Sequence, residues 1–488
     1  MDDRVLNRAA ELAKEYLATL SERPVGPPGD LAALRDSIGG PLPEQGKEAV
    51  AVIERLAGAV NPGLVGSAGP RYFGFVVGAN HPAAVAADWL TSAWDQNAGL
   101  YVLSPAAAVV EEVAGQWLVE LFGLPPGTSC GFTTGATMAN FTALAAARHA
   151  VLRSAGWDVE ETGLFGAPPV NVVVGDEAHV TIFASLQMLG LGRGRVQRVA
   201  ADEQGRMRAD ALRDTLASLD GPTIVCAQSG NVNTGAFDPL PEIATAARDR
   251  GAWVHVDGAF GLWAAASPNR RHLLAGLEQA DSWTTDAHKW LNVPYDSGLV
   301  FVRDAAAHRT AMTLGAAYYV ETAGGERDSY NWVPESSRRA RGFAIYAALR
   351  AMGRTGVAGL IDRCCDLARR MADRLAAGSG VEILNDVVLN QVLVRFSPPG
   401  AADPAAGGDP AAADGLTRDV VARVQADGTC WLGGTTWHGL AAMRVSVSGW
   451  QTTEADIDMS AAAILRCAEA ATQAAVAPET ATRTASPR

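Results

Sequence analysis

The chain has 488 residues, of which 48% are hydrophobic and 19% are charged, which is the composition of an ordinary globular protein. Its formal net charge of −13 argues against a nucleic-acid partner, because phosphate backbones are bound by basic surfaces. The first twenty residues carry a charge every few positions, unlike a signal peptide, and no apolar run reaches membrane length without a charge. We therefore expect a cytoplasmic protein with no membrane or nucleic-acid partner.

The six cysteines stand at positions 130, 226, 364, 365, 430 and 467. Their spacing is not that of metal ligands, and so large a chain does not need a disulfide framework to fold. We predict that they are reduced and buried, and that the protein has no metal site.

The N-terminal part of the chain, residues 1–69, is predicted to form a helical arm. Apolar residues recur at helical spacing over residues 4–20 and 47–60, and a Pro/Gly-rich connector follows the first of these segments. Two amphipathic helices cannot bury their apolar stripes by themselves. The arm is therefore expected to pack on the main body or on a second subunit and to help form a dimer.

Residues 70–345 are predicted to form a large domain around a mostly parallel sheet. Between about 105 and 305, short β-branched segments alternate with helical ones, which is typical of an α/β fold. The clearest strands are 170–174, 223–226, 253–256 and 299–302, and the helices between them cover 182–189, 211–219 and 242–250. Ligands of such sheets bind at the carboxyl ends of the strands.

A smaller α+β domain is predicted over residues 346–476. Its expected elements are helices at 338–353, 357–377, 417–426 and 454–475, and strands at 390–396, 429–432 and 442–448. The Ala/Pro/Gly-rich segment 397–415 is predicted to be a mobile loop, and residues 477–488 a disordered tail.

The segment SWTTDAHKWLNVPY, residues 282–295, places Lys289 just after a strand and among aromatic and apolar residues. A buried ammonium group is unfavourable, so one interpretation is a lysine whose stem packs inside while its amine reaches solvent. The other interpretation is a Schiff-base lysine, which requires a lowered pKa in a partly dry site.

Three further motifs fall at strand ends. Asp257 ends the apolar strand of HVDGAF and could pair with a protonated pyridine nitrogen, although capping of the next helix is the alternative. Ala136 and Thr137, at the start of a helix in FTTGATMANFTAL, could bind a phosphate. His179 in DEAHVTIF could stack on a flat ring. Together with Lys289, these motifs predict a site for pyridoxal 5′-phosphate (PLP).

The chain resembles the group II pyridoxal-dependent amino-acid decarboxylases, the family of the aromatic-L-amino-acid and glutamate decarboxylases. The resemblance extends from about residue 70 to 475 and is carried by PRYFGF, DWLTSAWDQNAG, TTGATMAN, DEAHVT, HVDGAF and DAHKW, in the family's order. It implies the α/β fold type I of PLP-dependent enzymes. It also implies an obligate homodimer with active sites at the subunit boundary.

The resemblance assigns roles to individual residues. It implies that Lys289 forms the Schiff base with PLP, with His288 beside the substrate. The residues it places around the cofactor are Asp257 at the pyridine nitrogen, Ala259 under the ring, His179 above it, and Ala136 and Thr137 at the phosphate. Arg444, in the strand LAAMRVSVSGW, is implied near the substrate carboxylate.

A mobile loop with a proton-donating tyrosine is implied between residues 312 and 338. Tyr330 lies nearly at that place, one residue closer to the following arginine pair than in relatives, and Tyr318 and Tyr319 are less favoured candidates. The alternative is that Tyr330 is an ordinary loop aromatic.

The substrate wall is expected from segments where relatives contact substrate. Its predicted members are Tyr72, Phe73, Phe75, Val76, Trp94 and Tyr101, an aromatic and apolar set that favours a substrate of the same kind. The chain departs from relatives at Asp286-Ala287, where many have Asn-Pro, and at Met138. Asn231 replaces a family threonine after a strand and is expected to reach the cofactor.

These residues predict α-decarboxylation of an L-amino acid to its amine and CO2. Other fold type I outcomes stay open, namely oxidative decarboxylation to an aldehyde, transamination and aldolase-like cleavage, because the fold alone does not select the reaction. A non-catalytic binding protein is the alternative from another class, but it predicts loss of the lysine or the aspartate, and Lys289 and Asp257 are both present.

Overall fold

A computed structural model describes residues 3–26, 30–313, 326–398 and 410–476 of the chain. The helices are α1 (Asp3–Thr19), α2 (Leu31–Ile38), α3 (Ala49–Val60), α4 (Pro82–Trp94), α5 (Pro105–Phe122), α6 (Ala136–Ser154), α7 (Val159–Thr162), α8 (Val180–Met188), α9 (Ala209–Ala217), α10 (Leu240–Arg248), α11 (Ala287–Trp290), α12 (Ala305–Met312), α13 (Gly342–Ala376), α14 (Pro410–Asp427) and α15 (Glu454–Val476). The strands are β1 (Ser129–Thr133), β2 (Asn171–Gly175), β3 (Gln197–Val199), β4 (Thr223–Gln228), β5 (Trp253–Asp257), β6 (Ser282–Asp286), β7 (Gly298–Val302), β8 (Val381–Ile383), β9 (Gln391–Phe396), β10 (Gly433–Trp437) and β11 (Leu440–Ser446).

The larger of the two sheets in the described residues has the strand order β1-β7-β6-β5-β4-β2-β3. The pairs from β3 to β6 are parallel, and β7 is antiparallel to both of its neighbours. Every residue of β4, β5 and β6 is buried, as expected for a sheet with helices on both faces. The predicted mostly parallel α/β sheet is therefore confirmed.

The second sheet has the order β10-β11-β9-β8, and all of its pairs are antiparallel. Helices α13 and α14 pack against it, and α15 packs against these two helices. The two helices predicted at 338–353 and 357–377 form the single element α13, which is interrupted at Gly353. Gly353 has φ +61°, a left-handed conformation that residues other than glycine rarely adopt.

The local structure differs from the predictions at three places. The helix α2 was not predicted. The loop predicted at 397–415 is helical from Pro410 onward, because Asp414 forms an ion pair with Arg395 at 2.6 Å and accepts the Ala441 N–H. The strand predicted at 429–432 lies at β10 instead, because Trp431 exchanges backbone hydrogen bonds with Arg71 and Phe73. The predicted tail lies outside the described residues.

All six cysteines are buried, and none of them is in a disulfide. Among the described residues, no helix is both long enough and apolar enough to cross a membrane.

The N-terminal arm is the least buried part of the described chain. Helices α1, α2 and α3 contain no buried residue, although α1 and α3 pack against each other. Their exposed apolar side chains include Leu6, Leu17, Val52 and Leu56. The arm thus leaves apolar surface that one copy of the chain does not cover.

A buried ion pair connects the arginine-rich segment before α13 to the large sheet. Glu111 on α5 and Arg338 lie 2.7 Å apart, and each side chain is 1% exposed. Arg338 also donates to the carbonyl oxygens of Ala98 and Phe132, at 2.9 and 2.7 Å. The backbone of Arg338 and Arg339 pairs with residues 97–98, so the helix predicted from residue 338 begins at Gly342 instead.

We predict that Glu111→Gln destabilises the fold by about 3–5 kcal/mol, because it leaves the Arg338 charge buried and uncompensated. Urea denaturation of the cofactor-free protein at fixed concentration measures this loss. The matched control is Asp419→Asn, which breaks the exposed pair Arg423–Asp419 and should change stability by less than about 1 kcal/mol. Equal effects of the two variants would contradict the assignment.

Candidate functional site

Strand β5 carries Asp257 to the carboxyl edge of the parallel sheet, where its side chain is 4% exposed. Its Oδ1 accepts the Ala259 N–H at 3.1 Å, and its Oδ2 accepts an N–H of Asn140 at 3.2 Å. No described lysine, arginine or histidine forms an ion pair with it. A buried carboxylate without a cation is unfavourable, so this site fits a cationic ligand group such as a protonated pyridine nitrogen.

Strand β6, which pairs with β5, and the short helix α11 position Lys289 beside Asp286. Lys289 Nζ lies 3.0 Å from Asp286 Oδ2, and its side chain is 18% exposed. The β6 strand ends at Asp286, and its carboxylate is thereby placed to hold the amine. Asp286 was noted in the sequence only as a departure from relatives, and its ion pair with Lys289 was not predicted.

His288 lies beside the same carboxylate. Its Nδ1 accepts the Ser297 N–H at 3.0 Å, so Nε2 carries the proton and faces Asp286 Oδ1 at 3.5 Å. Burial lowers the pKa of His288, and the Asp286 charge partly opposes this effect. Tyr295 stacks on the imidazole with ring centroids 4.2 Å apart. Tyr295 was not predicted as a site residue, and only its position six residues after Lys289 could have suggested it.

The predicted phosphate site lies at the N-terminus of α6. The Ala136 N–H donates to Asp286 Oδ1 at 2.6 Å, so this helix end already binds a carboxylate oxygen. A Cβ on Gly135 would lie 3.4 Å from His288. Ala136 and Thr137 are thus within reach of the Lys289 region, and a helix N-terminus favours an anion.

His179 caps α8, and its Nδ1 accepts the Thr181 N–H at 3.4 Å. Burial has the largest effect on the pKa of His179 and lowers it. The charges of Asp257 and Asp286 raise this pKa, whereas those of Lys289 and Arg444 lower it further. Those four charged groups therefore lie close enough to act on one imidazole. His179 and Asp257 also line the same small cavity. The stacking of His179 on a ring held by Asp257 stays a prediction.

Arg444 reaches this region from strand β11 of the second sheet. It donates to Asn233 Oδ1 at 3.4 Å, and burial lowers its pKa. No carboxylate of the described chain forms an ion pair with this guanidinium. Asn231 was expected at the cofactor, but its polar atoms bond to Gln228 and to backbone N–H groups of its own turn, so that contact stays a prediction.

The segment around Phe75 packs directly on the backbone of Lys289. A Cβ on Gly78 would lie 1.8 Å from the Lys289 carbonyl oxygen, so only glycine permits this approach. Phe75 and Val76 have φ +55° and +58°, which are strained values for such residues. Surrounding contacts must hold this strained backbone in place, and strain of this kind is frequent at functional sites.

An aromatic cluster lies next to this segment. Tyr72 stacks on Trp431 at 5.0 Å, and Phe75 lies 5.4 Å from the same ring and is 62% exposed. Phe73 and Val76, which were also expected in the substrate wall, are 1% and 0% exposed and belong to the hydrophobic core. For these two residues, contact with a substrate stays a prediction. Trp431 was not predicted.

The remaining predicted residues lie around the segment before α13. Trp94 packs edge-on against Phe343 at 5.0 Å and is 48% exposed, without a contact to Lys289 in the described chain. The Tyr101 N–H donates to Asp328 Oδ1, and the Tyr330 N–H donates to the Gly99 carbonyl. Their binding roles stay predictions.

Tyr330 was expected in an exposed mobile loop, but its side chain is 2% exposed within the short helical segment Ser329–Trp332. The reason is the backbone pairing with Gly99. Its role as a proton donor stays a prediction, and Tyr318 and Tyr319 lie outside the described residues.

The polar groups around Asp257, Lys289 and the start of α6 fit the three functional ends of PLP. Asp257 suits the ring nitrogen, Lys289 suits the aldehyde, and the Ala136–Thr137 helix start suits the phosphate. Asp286 is the one group that does not suit a phosphate directly, because both are anions.

Comparisons with known proteins agree with this arrangement. The sequence profile of the pyridoxal-dependent decarboxylase conserved domain matches residues 28–397. The aromatic-L-amino-acid decarboxylase of Bacillus atrophaeus is 27% identical over 398 residues, which cover 80% of this chain and 81% of the relative. The L-2,4-diaminobutyrate decarboxylase of Rhizobium meliloti (strain 1021) is 34% identical over 322 residues, 64% of this chain and 62% of the relative.

The crystal structure of Oryza sativa TDC with PLP and tryptamine superposes with a TM-score of 0.88, covers 96% of this chain and 97% of that chain, and is 24% identical. This likeness shows that the fold is that of fold type I PLP enzymes. The profile match, which spans most of the chain, shows the family. The chain belongs to the pyridoxal-dependent decarboxylases, which are PLP-dependent amino-acid carboxy-lyases.

Proposed function

We propose that this enzyme decarboxylates an L-amino acid with an aromatic or bulky apolar side chain to the corresponding amine. The observation that carries this proposal is the partly exposed aromatic cluster of Tyr72, Phe75 and Trp431. The segment that contains Tyr72 and Phe75 packs on the backbone of Lys289 at Gly78. Aromatic rings offer apolar area and favourable stacking to a similar side chain.

Different residues of the site are proposed to bind the cofactor and the substrate. When bound, PLP supplies an aldehyde that condenses with amines and a ring that withdraws electrons from the substrate carbon. Lys289 would hold the aldehyde, and the carboxylate of Asp286 would orient the lysine amine. Asp257 would keep a proton on the ring nitrogen, because an ionised partner in a buried site favours the cation. His179 would cover the ring and exclude water.

Arg444 is proposed to bind the substrate carboxylate. Its guanidinium is partly buried and forms no ion pair with a carboxylate of the described chain, whereas the buried arginines Arg338 and Arg395 pair with Glu111 and Asp414. A substrate carboxylate would supply the missing anion through charge-assisted hydrogen bonds. Holding this group fixes which bond at the substrate carbon is broken.

The first test is a panel of L-amino acids, assayed for CO2, amine, keto acid, aldehyde and peroxide. We expect CO2 and amine in equal amounts, and kcat/KM for aromatic substrates at least tenfold above that for L-2,4-diaminobutyrate and L-glutamate. Higher kcat/KM for L-2,4-diaminobutyrate, which the Rhizobium meliloti relative decarboxylates by its name, would overturn the aromatic preference. Peroxide or keto acid as the main co-product would overturn simple decarboxylation.

Lys289→Ala is the control for this panel. It should abolish turnover and the covalent attachment of PLP, which is measured by borohydride reduction and mass spectrometry, while the fold is kept. Wild-type rates in the variant would remove Lys289 from its proposed role.

We predict that Arg444→Gln raises KM for the amino acid by about 10- to 100-fold, since it deletes hydrogen bonds between charged groups. Inhibition by the product amine, which lacks the carboxylate, should not change. Arg363→Gln, at an exposed arginine that donates only to the Trp450 carbonyl, is the matched control. An equal loss of affinity for amine and amino acid would indicate a structural role for Arg444 instead.

We also propose a homodimer, supported by the exposed apolar residues of α1 and α3 and by Trp89 and Leu90 on α4. Sedimentation equilibrium should show a dimer for the full chain and a weaker dimer after deletion of residues 1–60, with lower PLP retention. A monomeric full chain, or an unchanged dimer after the deletion, would contradict the role of the arm. The cytoplasmic location stays a prediction that cell fractionation tests.

A further inference from the structure

A series of hydrogen bonds between buried side chains leads to Asp257. In each of them the donor is the group farther from Asp257. Asp257 needs donors, because an ionised carboxylate only accepts. One donor is the backbone N–H of Ala259, and the other is the side-chain amide of Asn140 on α6, whose Nδ2 lies 3.2 Å from Asp257 Oδ2. The amide of Asn140 must therefore present its NH2 group to Asp257 and its oxygen to the opposite side.

On the opposite side, the Asn140 oxygen accepts two hydrogen bonds. Thr284 Oγ1 donates to it at 2.7 Å, and His255 Nε2 lies 3.0 Å from it. Since this oxygen cannot donate, the proton of the imidazole must be on Nε2. Asn140 is 0% exposed and His255 is 0% exposed, so water does not compete for these bonds.

The remaining nitrogen of His255 completes the chain. His255 Nδ1 lies 3.0 Å from Ser282 Oγ, which accepts the Trp253 Nε1–H at 2.9 Å. Ser282 accepts from the indole and can therefore donate its own proton to His255. Burial lowers the pKa of His255 to about 4, which keeps the imidazole neutral near neutral pH, with Nδ1 free to accept.

We infer that Asn140 and His255 are positioning residues that hold the carboxylate of Asp257 ionised and aimed at the cofactor ring. Every group in the sequence Trp253, Ser282, His255, Asn140 donates toward Asp257, so each bond favours the negative charge at the end. Neither Asn140 nor His255 touches the reacting atoms. The inference rests on the proposed role of Asp257 toward PLP.

Only the Nε2 nitrogen of His255 donates to Asn140. A substitution that keeps a donor at this position therefore tests the hydrogen bond. The side-chain nitrogen of glutamine can occupy the position of His255 Nε2, so His255→Gln should keep the donor to Asn140. His255→Phe removes both nitrogens and fills a similar volume. The two variants therefore separate the hydrogen bond from the packing of the ring.

The experiment measures the dissociation constant of PLP and the visible absorption spectrum of the PLP-bound protein, together with the unfolding midpoint of the cofactor-free protein. Asn140→Leu should weaken PLP binding by about 10- to 100-fold, as for loss of a hydrogen bond to a charged group, and should change the visible spectrum. His255→Phe should act in the same direction more weakly, and His255→Gln should resemble the wild type.

Asn390→Leu is the matched control, because Asn390 is equally buried but donates to Val447 and Ser448 in the second sheet. It should lower the unfolding midpoint and leave the spectrum unchanged. The inference is overturned if Asn140→Leu keeps wild-type PLP affinity and spectrum, if Asn390→Leu changes both equally, or if His255→Gln is as impaired as His255→Phe. Asp257→Ala distinguishes failure of this inference from failure of the proposed role of Asp257 toward PLP. Wild-type PLP binding in that variant would refute the proposed role of Asp257 itself.

Discussion

The burial of the Asp257 carboxylate is the constraint on which the rest of the site depends. An ionised carboxylate at 4% exposure is stable only when hydrogen-bond donors and a cation compensate for lost hydration. The backbone after β5 and the side chain of Asn140 supply the donors, and the ring nitrogen of PLP is suited to be the cation. Strand β5, which carries this carboxylate, pairs with β6, and Lys289 follows β6 in the chain. The sheet therefore brings the two residues to the same edge.

Close backbone contacts bring the other groups to this carboxylate. A Cβ on Gly78 would overlap the Lys289 carbonyl, and a Cβ on Gly298 would lie 2.4 Å from Gly135. The first contact places the aromatic segment against the lysine. The second brings β7 against the start of α6, where the phosphate is expected. Glycine is required at both positions because another backbone fills the space of a side chain.

The groups proposed to hold the cofactor and those proposed to select the substrate come from different parts of the fold. Asp257 ends a strand of the large sheet, and Lys289 and Ala136 lie on helices beside it, whereas Arg444 and Trp431 come from the C-terminal part of the chain. Related enzymes that act on different amino acids can therefore share the first set. The carboxylate of Asp286 contacts both Lys289 and the start of α6.

The sequence by itself determined the alternating α/β architecture, because strands buried on both faces are continuous apolar runs. It also nominated Asp257, Lys289 and His179 as candidate site residues from their positions after such runs. Only the tertiary structure decided what these groups contact. The ion pair of Asp286 with Lys289 and the chain from His255 through Asn140 join residues of different elements, and local periodicity shows which face is buried but not which side chains meet across it. For the same reason the burial of Tyr330 and the helical start at Pro410 followed from distant partners, Gly99 and Arg395.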